Sequence, residues 1–183
     1  MGVRTPTVSC PAGAHTVGVP VGYWTALNNP APASSGGVML MLSDGTVMCK
    51  SSSGGDSYGN LWNKLIPDAS GSYINGTWTT LAPMNYTRLY FSSQVLKDGR
   101  VYVAGGEYGT GGSQGEVYNP LTNTWTLTPA PGQTVSDANS EILNDGRVVQ
   151  ALVAGSLTST VLYNPQTNTY SAGPSTNGIH NES

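Results

Sequence analysis

The 183-residue chain carries seven Lys and Arg against ten Asp and Glu, for a net charge of −3, with 9% charged residues, 24 Gly and 12 Pro. No basic stripe exists to displace counterions from phosphates, which excludes nucleic acid as a partner, and no apolar run reaches the ~18 residues that span a bilayer. The mix is poor for helices and suits many short strands joined by tight turns.

Met1-Gly2-Val3-Arg4 leads straight into polar sequence, so no signal peptide is expected in this stretch. Residues 1–18 are expected to be an N-terminal extension or a closing strand. From residue 19 onward the chain repeats. The apolar run Val38–Leu42 is followed by Asp44-Gly45 and Val47; the same beat returns at Leu96-Lys97-Asp98-Gly99-Arg100-Val101 and at Leu143-Asn144-Asp145-Gly146-Arg147-Val148. Asp-Gly between strand-like runs is a hairpin signal, because the turn needs a positive φ that glycine adopts without steric cost. The second and third Asp follow the one before by 54 and 47 residues.

A second hairpin closes each unit. Val117-Tyr118-Asn119-Pro120-Leu121-Thr122-Asn123-Thr124-Trp125 matches Leu162-Tyr163-Asn164-Pro165-Gln166-Thr167-Asn168-Thr169-Tyr170. Trp78 takes the aromatic place in the first unit, after a surface insertion from Asp68 to Asn75. Two hairpins per repeat make a four-stranded unit that buries both faces by stacking on its neighbours. Four-stranded β-propeller blades are therefore expected at 19–82, 84–131 and 133–175. Residues 176–183 read as the start of a fourth, with Gly178 to Ser183 resembling the lead-in to the third. The predicted fold is all-β: about three blades plus the start of a fourth, a partial propeller. Its open ends imply self-association or missing C-terminal blades.

The segment from Met84 to Pro129 resembles a kelch repeat, with Gly105-Gly106 after an inner strand, then Glu116-Val117-Tyr118-Asn119-Pro120 and Asn123-Thr124-Trp125. It is similar to kelch propellers of secreted bacterial proteins and of the galactose oxidase and glyoxal oxidase superfamily. That superfamily includes copper-radical oxidases, and Arg88-Leu89-Tyr90-Phe91-Ser92-Ser93 resembles the segment carrying their crosslinked tyrosine, at Tyr90. The rest of that ligand set does not carry over. Cys49 follows the first Asp-Gly turn, and the two histidines, His15 and His180, stand near the chain ends. No cofactor and no metal are expected. Glu107, Glu116, Asp137 and Glu141 are carboxylates of the kind glycoside hydrolysis needs, without an arginine cluster or a Ser-His-Asp arrangement beside them.

The expected function is that of a non-enzymatic binding or adhesion scaffold, extracellular or at the cell surface, recognising protein or glycan. The alternatives are a structural subunit assembling into a ring or filament, and a fragment of an oxidase-like or glycan-active enzyme. In a blade, loops entering the first strand share a face with loops joining the second and third. That face should collect Tyr86, Arg88, Tyr90, Glu107, Tyr108, Asp137, Asn139 and His180, with Arg88 positioned for a ligand. Against this stands a plain solvated rim with hydrogen-bonded polar groups. Arg100 and Arg147 occupy matched places after Asp-Gly turns, so they are expected to brace those turns. Cys10 and Cys49 are a candidate disulfide or two buried small residues. Asn75, Asn85 and Asn181 head glycosylation sequons.

Overall fold

Three Asp-Gly steps turn three hairpins. The computed structural model describes residues 24–32, 37–51, 58–137, 139–153 and 157–179. Gly45, Gly99 and Gly146 have φ of 79°, 85° and 89°, and each amide donates to the leucine carbonyl three residues back, at 2.9–3.0 Å. The aspartates lock the turns from the side. Asp44 accepts from the backbone amide and hydroxyl of Thr46. Asp98 and Asp145 hold the guanidinium groups of Arg100 and Arg147 at 2.7 Å, the bracing expected from their matched positions. These bonds also favour the ionised carboxyl, and all three aspartates titrate below the usual carboxylate range despite the opposing effect of partial burial at Asp44 and Asp98. A valine at position 99 would have to enter the positive-φ region that a β-branched side chain resists. Gly99→Val should therefore destabilise the protein by about 1 kcal/mol or more, and an unchanged melting temperature would contradict this.

The hairpins assemble into three antiparallel sheets. The first contains β1 (Met39–Met41), β2 (Val47–Lys50), β3 (Trp62–Ile66) and β4 (Thr77–Thr80). Between the first and second sheets lies β5 (Arg88–Leu89). The second sheet contains β6 (Ser92–Val95), β7 (Val101–Ala104), β9 (Gly115–Asn119) and β10 (Thr124–Leu127), interrupted by β8 (Tyr108–Gly109), which pairs with β5. The third contains β11 (Ser140–Ile142), β12 (Val148–Ala151), β13 (Thr160–Asn164) and β14 (Thr169–Ala172). No helix occurs among the described residues, and so none long and apolar enough to cross a membrane. This is the expected all-β stack of four-stranded blades. Residues 24–32, within the span expected for the first blade, carry no strand; they lie along its outer edge, where the Asn28 amide donates to Ile74 O.

Alternation along each strand gives every blade two faces. The front of the second blade carries the cross-strand row Val95, Val101, Tyr118 and Trp125. It packs on Leu42, Met48, Trp62 and Leu81 of the first blade. The rear of the second blade presents Leu96, Tyr102, Ala104 and Val117 to Val148, Val161 and Tyr163 of the third. Burial of both faces is what stabilises the stack, at roughly 1.5–3 kcal/mol per large apolar side chain.

The outer-strand aromatics key each blade into its predecessor. Trp125 lies 6.0 Å from Trp62, and its indole donates to Ala82 O at 2.9 Å. Tyr170 does the same job one blade on, its hydroxyl 2.9 Å from that of Tyr102. Tyr102 and Tyr163 stack at 4.7 Å. Burial holds these phenols protonated, with the Tyr163 pKa pushed up to about 12. In both repeats the Asn-Pro hairpin closes with an asparagine in the left-handed region, Asn123 at 52° and Asn168 at 53°. Each accepts a 2.9 Å bond from a buried tyrosine, Tyr118 or Tyr163.

Candidate functional loop face

Opposite the Asp-Gly turns, the entry loop of the second blade meets two others. Arg88 and Leu89 form the middle of a three-segment ribbon. On one side Arg88 bridges Gly59. On the other, β5 pairs with β8, Arg88 against Gly109 and Leu89 against Tyr108. Gly109 is needed here: its φ is 103°, and a Cβ would sit 2.3 Å from Thr87 O.

The ribbon rests on a buried ion pair. Glu116, in β9, and Arg88 meet at 3.0 Å with both side chains 0% exposed. The second Arg88 terminal nitrogen donates to Gly105 O at 2.5 Å. Glu116 Oε2 accepts from the backbone amide and side-chain amide of Asn85, and Oε1 from the amide of Tyr86. A single carboxylate thus gathers the whole link 85–88. Desolvation pulls the Arg88 pKa below its ordinary value against the favourable pull of Glu116.

This corrects the sequence expectation that Arg88 faces a ligand. Its charge is spent inside the protein, on a partner 28 residues away. Tyr86 is half-buried beside it, with the guanidinium carbon 5.8 Å from the ring. Glu116 likewise turns its carboxylate inward, to Arg88, Asn85 and Tyr86. Asn85 donates to Glu116 through Nδ2, the nitrogen a glycan would occupy, which weighs against that sequon. Asn75 lies exposed in the Asp68–Asn75 turn, where Asn28 donates to its side chain.

The remaining expected residues divide. Tyr90 and Tyr108 come together, 50% and 49% exposed, their rings edge-to-face at 6.3 Å. Tyr90 holds a φ of 50°, a conformation rare for a bulky residue and found at sites that use local strain. Glu107 and Asn139 are exposed, and Asp137 is half-buried with Oδ1 shielded and unpartnered. Gly106 N donates to Ser136 O at 2.6 Å, which brings the 135–137 turn against the loop after β7. His180 and Asn181 lie outside the described residues, as does Cys10; Cys49 is a buried free thiol.

One residue escaped the sequence reading. Tyr58, 58% exposed, precedes Gly59 just as Tyr108 precedes Gly109. The two Tyr-Gly steps flank Arg88-Leu89 from opposite sides, and the repeated dipeptide was the available signal.

Stacked four-stranded sheets, aromatic keys and a shared loop face define a run of β-propeller blades. The blades are of the kelch type. The kelch motif model matches residues 92–132, the second blade and its exit. The chain is 34% identical to the spermatocyte protein spe-26 of Caenorhabditis elegans over 104 residues, 51% of this chain and 18% of that protein. It is 40% identical to the galactose oxidase of Gibberella zeae over 67 residues, 36% of this chain and 9% of that protein. The chain thus spans less than a fifth of either curated relative. Among solved structures it is similar to YjhT, with a TM-score of 0.62 at 18% identity, covering 84% of this chain and 54% of that one.

Proposed function

We propose that this protein is a non-catalytic, extracellular binding scaffold whose loop face recognises a protein or glycan. The observation that carries the reading is the Tyr90–Tyr108 pair, two half-exposed rings set edge to face at 64° on a ribbon anchored by a buried ion pair. Tyrosine supplies a flat apolar surface and a polar edge at low entropic cost. Glu107, the residue before Tyr108, adds an exposed carboxylate acceptor beside it. Rigid mounting reduces the ordering cost of binding.

The rival reading is an oxidase-like fragment, favoured by the galactose oxidase similarity. Tyr90 is the one residue of the copper-radical set that the resemblance supplies. It packs on Tyr108, and among the described residues no three His, Cys, Asp or Glu side chains gather as a metal site. The donors present there do not fit a copper centre.

Labelled protein applied to glycan and peptide arrays should yield a specific class of ligand. The double variant Tyr90→Ala/Tyr108→Ala should lose at least tenfold in affinity for it, with an unchanged melting temperature. Binding that survives this variant would remove the loop face from the account. A substrate-dependent release of hydrogen peroxide by copper-loaded protein would replace the scaffold reading with the oxidase one.

A further inference from the structure

The loop-face ribbon has two sides of opposite character. Directly paired residues of antiparallel strands share a side, and successive residues alternate. Gly59 and Gly109 both pair with Arg88, whose side chain is fully buried, so this row is the inner one. The next row along is Tyr58, Leu89 and Tyr108. Leu89 pairs with Tyr108, and continuing the Gly59–Arg88 register by one residue sets Tyr58 opposite Leu89. Tyr58 and Tyr108 are exposed, with half-buried Leu89 between them. This outer row is therefore two tyrosines separated by one leucine. Tyr90, at its left-handed φ, ends the alternation and brings its ring to Tyr108.

Period, polarity and charge decide what such a row can take. The two tyrosine backbones stand two strand spacings apart, roughly 10 Å. An extended peptide repeats one side of its chain every two residues, about 6.6 Å, and falls out of step with the second ring. A polyproline II helix repeats every three residues, about 9.3 Å, and meets both. The next pair on the same side, Thr87 and Thr110, is bonded to itself through hydroxyls and amides. That leaves the strip short of partners for the many hydroxyls of a sugar. Glu107 is exposed and makes no ion pair among the described residues. The described cations that reach solvent stand at the other end, with the Asp-Gly turns: Lys64 acts on Asp44, Lys97 donates to Asn144 O, and Arg100 and Arg147 hold Asp98 and Asp145. The ribbon thus offers a carboxylate with no exposed cation beside it.

Building on the loop-face reading above, we infer that this outer row docks a proline-rich protein segment in the polyproline II conformation. Tyr58 and Tyr108 each pack a proline, one helical turn apart, with Leu89 as the floor between them. Glu107 pairs with a lysine or arginine that flanks the prolines. Such a segment is stiff before it binds, so it loses little entropy on docking. Its carbonyls accept hydrogen bonds from the tyrosine hydroxyls, and proline brings no amide donor that would need a partner.

The probe is a short oligoproline carrying an arginine at one end, followed by calorimetry and by amide chemical shifts. It should bind, with shifts centred on Gly59, Leu89 and Tyr108. Tyr58→Ala should weaken binding about tenfold and Glu107→Gln about threefold, with unchanged melting temperatures because both side chains are exposed. Replacing the probe's arginine by glutamate should weaken binding to the unsubstituted protein and make little difference to Glu107→Gln. No binding of the oligoproline, or unchanged affinity in Tyr58→Ala, would overturn the inference. So would tighter binding of an alternating threonine-valine peptide or of an oligosaccharide. A ligand lost in Tyr90→Ala/Tyr108→Ala but kept in Tyr58→Ala would leave the loop face as a binding site and remove the polyproline row alone.

Discussion

Glu116→Gln is expected to cost about 3 kcal/mol or more, the range for breaking a buried ion pair by removing one charge. The replacement is nearly isosteric, so shape is not the reason. Oε2 accepts two bonds from Asn85, and Oε1 accepts from Tyr86 and Arg88. An amide must place its NH₂ at one of these oxygens, where it faces donors only. Arg88 also keeps its charge at 0% exposure with its main counter-ion gone. In a chain of this size the loss corresponds to a fall in melting temperature of about 10 °C. Calorimetry checks it, and a change below about 1 kcal/mol would mean that the link 85–88 is held by something else. The loop-face ribbon should loosen at the same time, with faster hydrogen exchange at Arg88 and Glu107.

Gly105→Ala is the second large effect. Gly105 has a φ of 79°, and a Cβ there would lie 1.9 Å from Ser136 O and 2.8 Å from Val135 O. Both contacts are backbone atoms of the turn that leads into the third blade. To admit the methyl, that turn must retreat, breaking the Gly106 to Ser136 bond and shifting Val135 out of the core between blades. Left-handed strain of about 1–2 kcal/mol, a lost hydrogen bond of about 1 kcal/mol and the displaced core together put the cost at about 3 kcal/mol or more. Gly112→Ala serves as the control, because Gly112 has a φ of 50° with nothing within 4 Å of a Cβ. It should show the strain alone. Equal losses at the two positions would show that the close approach carries no energy.

These two sites mark where sequence reading ended. Gly105-Gly106 was legible as a motif because glycine pairs punctuate strands, yet what they approach is a loop 31 residues downstream. In the sequence Arg88 stands apart from Arg100 and Arg147, which share a matched place after Asp-Gly turns, and that contrast points it at a ligand. Burial and its partner in β9 are consequences of how the link folds under the blade. Tyr58 was readable through the repeated Tyr-Gly step, but the surrounding Ser- and Gly-rich stretch obscured the repeat. Tyr90 and Tyr108 were placed on a common face by blade topology alone, whereas their edge-to-face contact came from the β5–β8 pairing.

The sequence by itself determined the repeat, the hairpins and the aromatic keys. These rest on local chemistry: a positive φ after aspartate, a proline that opens a turn, an asparagine that tolerates the left-handed region, and an apolar period of two. Such preferences act within a few residues and survive in any surroundings. Tertiary structure alone decided which polar groups are internal and which aromatic rings stay at the surface. Those outcomes depend on desolvation, and desolvation is set by neighbours that lie 28 to 68 residues apart along the chain, as in the Arg88–Glu116 pair and the Tyr102–Tyr170 contact.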